Sequence, residues 1–414
     1  MVSKERKNRN LLFWIFLLFS CILGFLPAQF MIVADILILH ALFKTLKSKG
    51  MFVYPMRLFL IFLICSTISC YYFEKQSFYL SFTNLDFVMF FSFLSYFFMI
   101  KKRSTAFTVS DIEWCITKLY FIIFILFLIQ YALLPHQILH LATFVEGEKR
   151  FTIFGQIITL VAYFYFLNKY LTNKKKKYIL YLLPELVIVF IQGFRSYILA
   201  IVLVSILFAI KVGGLKRTIS ILLLIPIIAL FMVQISIVNN AISNMLNRQT
   251  DANFSNEDYI RVRQFEYFTN EHFKSPIEYF FGSGFPNPRS EYGKRMFYLQ
   301  GMTTENQTGP IGGWRDWGMV GLSWIIGLPC LLCILFCILK IFVTKIPKQY
   351  YYLKYFYLFI LLTAITSVEF YRWGSVFIHG ILFYQFELIV KKQKSLNLVN
   401  KQYHDENKNT LYCK

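Results

Sequence analysis

The sequence predicts an all-α polytopic membrane protein of about twelve transmembrane helices, and three observations predict it. Hydrophobic residues make up 57% of the chain and aromatic residues 19%, with a mean hydropathy of +0.54. That is more apolar surface than a soluble domain of 414 residues could hide. Apolar runs near the length that crosses a bilayer, roughly 20 residues, recur along the whole chain. Clusters of lysine and arginine fall at alternate gaps between these runs, as expected when cationic loops stay on the cytoplasmic side.

The runs lie at about 11–27, 28–43, 57–73, 82–100, 117–134, 152–172, 178–193, 196–212, 218–238, 317–340, 353–369 and 374–390. Lys4, Arg6, Lys7 and Arg9 hold the start of the first run inside; eleven further runs make it an uncleaved anchor instead of a signal peptide. The inner side then receives Lys44/Lys47/Lys49, Lys101–Arg103, Lys174–Lys177, Lys216/Arg217, Lys345/Lys348 and Lys391/Lys392/Lys394, and both termini are cytoplasmic. The chain reads as one membrane domain, 1–414, with a large extracytoplasmic loop at 239–314 between the ninth and tenth helices and a cytoplasmic tail at 391–414. This topology accounts for the net charge of +21 without a nucleic-acid partner.

The long loop carries its own pattern. Ser255 and Asp258 have the spacing of a capping box, and Tyr259, Val262, Phe265, Phe268 and Phe273 give a helix over 256–274 an apolar face, with Pro276 ending it. Arg261 borders that face; Arg263, about 200° around the helix from it, points elsewhere. Gly282 and Gly284 permit a tight turn or close backbone approach to a ligand.

Elsewhere the signals are weaker. Cys330, Cys333 and Cys337 share a helical stripe inside a span, where thiols act as small apolar groups. His136 and His140 have helical spacing but no third ligand, so no metal is expected. No phosphate loop of the G-x-x-x-x-G-K-[ST] type occurs, and no cofactor is indicated. Asp35, Asp86 and Glu185 lie within spans, where an acid either serves function or pairs between helices.

Sorting the basic residues by side and type sharpens the reading. The inner side holds 25 lysines and 5 arginines; the outer side holds 4 lysines and 9 arginines: Arg150, Arg195, Arg248, Arg261, Arg263, Arg289, Arg295, Arg315 and Arg372. Lysine suffices for topology, whereas the planar guanidinium fork suits phosphate and carboxylate. The outer enrichment therefore points to an anionic, phosphate-bearing substrate, the alternative being pairing with outer acids.

Four motifs in order carry a family resemblance: Arg150-Phe-Thr-Ile-Phe-Gly155; Gly193-Phe-Arg195-Ser196 at the tip of a helical hairpin; Arg261 followed by Pro276 and Phe281-Gly282-Ser-Gly284-Phe; and Trp314-Arg-Asp316-Trp-Gly318-Met-Val-Gly321. About half the chain thereby resembles the O-antigen polymerase and ligase family, the Wzy-type membrane glycosyltransferases. The sequence departs from the family where ligases and many polymerases carry a histidine; here that slot falls at Asn306-Gln307, beside Glu305.

The resemblance implies a bacterial cytoplasmic-membrane enzyme that joins polyprenyl-diphosphate-linked oligosaccharides at the outer face, beside membrane lipid, a flippase and a chain-length regulator. It implies Arg195 and Arg261 as ligands of the diphosphate in the transition state, and Glu305 or Asp316 as the base. Arg150, Arg263, Arg289 and Arg315, with Gly282 and Gly284, would bind substrate, although Arg315 also reads as a partner of Asp316, and Asp316 as a helix cap. A flippase of the same lipids is the alternative outside the enzyme class, and a ligase the alternative within it.

Overall fold

A computed structural model describes residues 2–20, 27–45, 47–101, 107–133, 136, 155–173, 175–192, 195–223, 264–300, 313–364, 369–371 and 374–412, and among these the regular elements are all helical. They are α1 Val2–Phe19, α2 Pro27–Lys44, α3 Val53–Glu74, α4 Phe78–Phe82, α5 Leu85–Phe91, α6 Ser95–Lys101, α7 Val109–Ala132, α8 Ile157–Asn173, α9 Lys177–Leu180, α10 Leu183–Gln192 and α11 Arg195–Phe208. Later in the chain come α12 Pro276–Phe281, α13 Glu291–Gln300, α14 Gly318–Ile326, α15 Leu328–Val343, α16 Tyr352–Thr363 and α17 Ser375–Tyr412. Among the described residues, three helices have the length and hydropathy to cross a membrane: α3, α7, and Ser196–Gly213, in which a π-helical turn extends α11.

Each of these helices is apolar on both faces. The inner face packs on neighbours, and the outer face leaves stripes such as Ile61, Ile64 and Ile68 on α3 or Leu199, Leu203, Leu207 and Ile210 on α11 exposed. Spaced three and four residues apart, such stripes suit lipid and would be a liability in water. The interior is dense with aromatic rings; Phe59 meets Phe93 edge-on at 5.0 Å and Phe208 stacks on Tyr355 at 4.0 Å. α3 packs on α15, α8 on both α7 and α16, and α6 on both α2 and α17. Hydroxyls tie helices together: Ser95 Oγ donates to Phe377 O at 2.7 Å, and Tyr163 and Ser205 share a hydrogen bond of 2.8 Å.

Several boundaries differ from the sequence expectation. The run at 317–340 is not one helix but two. Pro329 in the first turn of α15 cannot donate a backbone bond, and Gly327, at φ +82°, turns the chain between α14 and α15. The run at 82–100 starts at Leu85 behind an Asn84 cap and passes through a 3-10 turn at Ser92–Leu94. The expected loop helix over 256–274 is described only from residue 264, where it closes in a π-helical turn, Tyr267–Glu271. Pro276 does not end it: proline opens α12, its missing N–H harmless in a first turn, behind Ser275, whose Oγ accepts from Glu278 N at 3.1 Å. The segment 391–412 continues α17 as helix.

Contacts sort into two ends. At one, Lys340 donates to Met51 O, Lys391 pairs with Glu387, and Arg9 pairs with Asp111. At the other lie the end of α3, the start of α5, and residues from 264–300, 313–317 and 369–371.

A candidate anion site built on two buried carboxylates

The second end is where the chain concentrates polar chemistry. α3 finishes at Glu74 with Lys75 in the left-handed region, φ 56°, which reverses the chain and sends Gln76 inward. Gln76, 1% exposed, uses its whole amide: Nε2 donates to Ser81 Oγ (2.9 Å) and Phe285 O (3.0 Å), while Oε1 accepts from Asn287 N (2.8 Å) and Ser290 Oγ (2.7 Å). Asn287 Nδ2 donates to Leu80 O at 2.7 Å and Asn84 Nδ2 to Pro286 O at 2.9 Å. These bonds clamp the segment 282–290 against residues 76–84.

The same segment plugs the gap between α14 and α15. Ser283 N donates to Trp324 O at 3.0 Å, and Gly284 N and Ser66 Oγ donate to Ile325 O, each at 2.8 Å. Carbonyls freed by the helix break thus find donors within the protein, as apolar surroundings require. Gly282 and Gly284 sit at φ +85° and +74°; a Cβ on Gly282 would lie 2.4 Å from Gly327 N, and one on Gly284 2.5 Å from Cys70 Cβ. The Gly282 amide donates to Glu278 O at 2.7 Å. Of the two readings of Gly282 and Gly284, a tight turn or close approach to a ligand, the geometry is that of a packing turn: the amides of 282, 283 and 284 are all donated to carbonyls.

Two cationic clusters flank this clamp. In the first, the carboxylate of Glu74 receives Arg295 Nη2 on Oε2 and the Lys274 ammonium, 3.2 Å away, on Oε1. Glu74's side chain is 0% exposed, whereas those of Arg295 and Lys274 are 42% and 46% exposed. One buried acid thus holds two cations that face outward. Lys274 Nζ also donates to Phe73 O at 2.6 Å, and Arg295 lies 5.6 Å over the Tyr292 ring.

Beside Glu74 stands a second buried acid, Glu278, whose Oε2 accepts from Lys274 N at 2.7 Å. Burial pushes Glu278 up to about 7; the Lys274 amide opposes that rise, and the charge of Glu74 and a hydrogen bond with it add to it. His272, 2% exposed, packs between Tyr267, Phe268, Phe273 and Tyr292; Nδ1 shares a 3.2 Å hydrogen bond with Tyr267 OH, and Nε2 has no partner among the described residues. Burial pulls its ring down to about 4, so it is neutral at physiological pH.

In the second cluster Arg315 Nη2 lies 2.7 Å from both oxygens of Asp86, over the rings of Trp314 (5.3 Å) and Tyr371 (6.0 Å). Asp86 is held in turn by the first turn of α5, its amide donating to Asn84 Oδ1 at 2.7 Å.

The expected site residues divide accordingly. Arg315 pairs with Asp86 instead of its neighbour Asp316, because the 3-10 turn Gly313–Trp317 aims the guanidinium at α5. Asp316 is half-buried in that turn and does not cap the tenth helix; the cap position is Trp317, without a side-chain bond. Asp86 is no isolated intramembrane acid. Arg289 is exposed on the clamped segment, its amide donating to Asn287 Oδ1 at 3.0 Å. Arg195 is the first residue of α11. Arg150, Arg261, Arg263 and Glu305 lie outside the described residues. Glu74, His272, Lys274, Glu278 and Arg295 received no site role from the sequence, although Ser275-Pro-Ile-Glu278 is itself a helix-start pattern.

No family model, curated protein or solved structure matches the chain.

Proposed function

We propose that this chain is a polysaccharide polymerase of the cytoplasmic membrane, joining oligosaccharide repeat units carried on polyprenyl diphosphate at the outer face. The observation that carries this reading is the cluster in which Arg295 and Lys274 are held part-exposed on the buried carboxylate of Glu74. Fixed cations at a water-facing end suit a diphosphate leaving group and need no reorganisation when its charge develops. Under the expected twelve-span topology with both termini in the cytoplasm, the lysine distribution would put this cluster outside, which supports the reading.

In the proposed reaction a hydroxyl of the acceptor sugar attacks C1 of the donor sugar. The C1–O bond to the diphosphate breaks, its electron pair leaves with the phosphate oxygen, and a carboxylate takes the hydroxyl proton. Arg195 and Arg261 are proposed to stabilise the leaving diphosphate, with Arg150, Arg263 and Arg289 contributing to binding, and Glu305 or Asp316 is the proposed base. Arg315 is better read as positioning the α14 entrance through Asp86. A flippase of the same lipid has one feature in its favour, the broken helix at Gly327, since transporters bind cargo at such breaks. That break is filled by residues 282–284, which leaves no open carbonyls at Trp324 and Ile325 for cargo.

The test is substitution of Arg195 and Arg261 by Ala in a host lacking the protein, with lipid-linked glycan resolved as a gel ladder. Polymerase activity predicts collapse to a single repeat unit that still appears outside the cell. Single units trapped inside would favour the flippase, and an unchanged ladder would remove both arginines from the mechanism.

A further inference from the structure

The carboxyl pair beneath Lys274 and Arg295 has a property that the proposed polymerisation does not use. Glu74 and Glu278 approach from different elements, the end of α3 and the first turn of α12, and both are buried, at 5% and 0% exposure. Glu278 Oε1 has no donor among the described residues, and Glu74 Oε1 has only the Lys274 ammonium. A buried carboxyl whose free oxygen meets no donor, beside a second carboxylate already held by two cations, is stabilised by carrying a proton.

We infer that Lys274 and Arg295 form a phosphate-binding site whose net charge is set by one proton on the buried carboxyl of Glu278 beneath them. With the proton present, two cations face one anion and the cluster carries +1; without it, the charges cancel. The inference rests on the polymerase reading for its ligand, the diphosphate of the lipid donor, and adds proton control of the affinity for it.

The groups facing the pair support this count. Lys274 and His272 come from the turn before α12, and Tyr267 lies one turn earlier. α13 supplies Arg295 and Tyr292, and α3 supplies the Cys70 thiol. His272 is neutral above about 4, and burial pushes both tyrosines up, so neither ionises near neutrality. α15 also packs on α12, but its one charged residue, Lys340, lies at the opposite end on Met51 O. Between pH 6 and 8, Glu278 is thus the group that titrates here, through its value of about 7.

The experiment is calorimetric titration of the full chain in detergent with inorganic pyrophosphate, at pH about 6 and about 8. Lys274→Gln and Arg295→Gln are each expected to weaken binding roughly tenfold or more, the loss of one charge-assisted contact. Lys294→Gln, an exposed change on the same helix as Arg295, is the control expected to bind as wild type. Glu278→Gln is expected to bind at both pH values with only the pyrophosphate's own pH dependence, while wild type weakens further at the higher pH. Melting curves identify any variant that fails to fold, and Lys274, nearly half exposed, is the safer substitution.

Absence of pyrophosphate binding by wild type, unchanged affinity in both Gln variants, or a wild-type pH profile in Glu278→Gln would each overturn the inference. The glycan ladder is read separately. A collapsed ladder in the Arg195 and Arg261 variants beside unchanged pyrophosphate affinity in the Lys274 and Arg295 variants rejects this site and leaves the polymerase standing. Single repeat units trapped inside the cell reject the polymerase whatever the calorimetry gives.

Discussion

Arg315 brings one guanidinium nitrogen within 2.7 Å of both carboxylate oxygens of Asp86, a residue 229 positions earlier in the chain. The pair joins the start of α5 to the turn leading into α14, with Trp314 and Tyr371 packed around the guanidinium. Asp86→Ala should lower stability by about 1–3 kcal/mol, less than for a fully buried pair because the Arg315 side chain is 42% exposed. Thermal unfolding in detergent reads this directly. Asp86→Glu should lose less than Asp86→Ala, and equal losses would show that the ion pair contributes nothing.

Gln76 makes four hydrogen bonds with one amide, so no substitution reproduces its pattern. Gln76→Ala should cost about 2–4 kcal/mol, since it strands the Asn287 amide in a buried setting and leaves the Phe285 carbonyl only a long bond from Asn84 Nδ2. Limited proteolysis should then cut within 282–290 faster than in the wild type; an unchanged digestion pattern would mean the clamp is held by Asn84 and Asn287 alone.

Gly282→Ala and Gly327→Ala meet the same obstacle from opposite sides, because each Cβ would fall within 2.4 Å of the other strand of the crossing. Each also imposes a left-handed backbone on a residue with a side chain. Each should destabilise the chain by more than about 2 kcal/mol and reduce the monodisperse yield on size exclusion. Gly214→Ala, with nothing within 4 Å of its Cβ and φ +74°, isolates the backbone cost and should be milder.

The loop acid and its neighbouring histidine make opposite demands on pH. Glu278 is raised from 4.5 to about 7, so its contribution to stability is complete below about 4.5 and lost as pH rises through 7. His272 is lowered from 6.5 to about 4, so its contribution is present above 6.5 and lost as pH falls through 4. Between pH 5 and 7 the melting temperature should therefore rise in Glu278→Gln, where only His272 is left, and fall in His272→Phe, where only Glu278 is left, while wild type, in which the two offset, changes little. A flat profile in either variant would assign the titration to another group.

Helical class and the apolar character of the bundle were legible because each follows from composition or local periodicity. The partners of the cationic side chains were not. Arg295 meets Glu74 across 221 positions, and no spacing rule spans that distance. Hydropathy averaged across Gly327-Leu-Pro329 runs straight through the helix break, since leucines and isoleucines on both sides swamp two residues. Pro276 read as a stop because it follows an apolar helical pattern. Ser275 before it and Glu278 after it mark a start, and the local hydrogen bond decided between the two.

The turn at 282–284 has a mechanical meaning. Its donors keep Trp324 O satisfied amid greasy neighbours and share Ile325 O with Ser66, and an oxygen stripped of every donor there costs roughly 2–7 kcal/mol. Such a segment is a keystone, not a flap. Large hinge swings of 282–290 would break these bonds, so adjustment at this end falls to the long cationic side chains rooted around the segment.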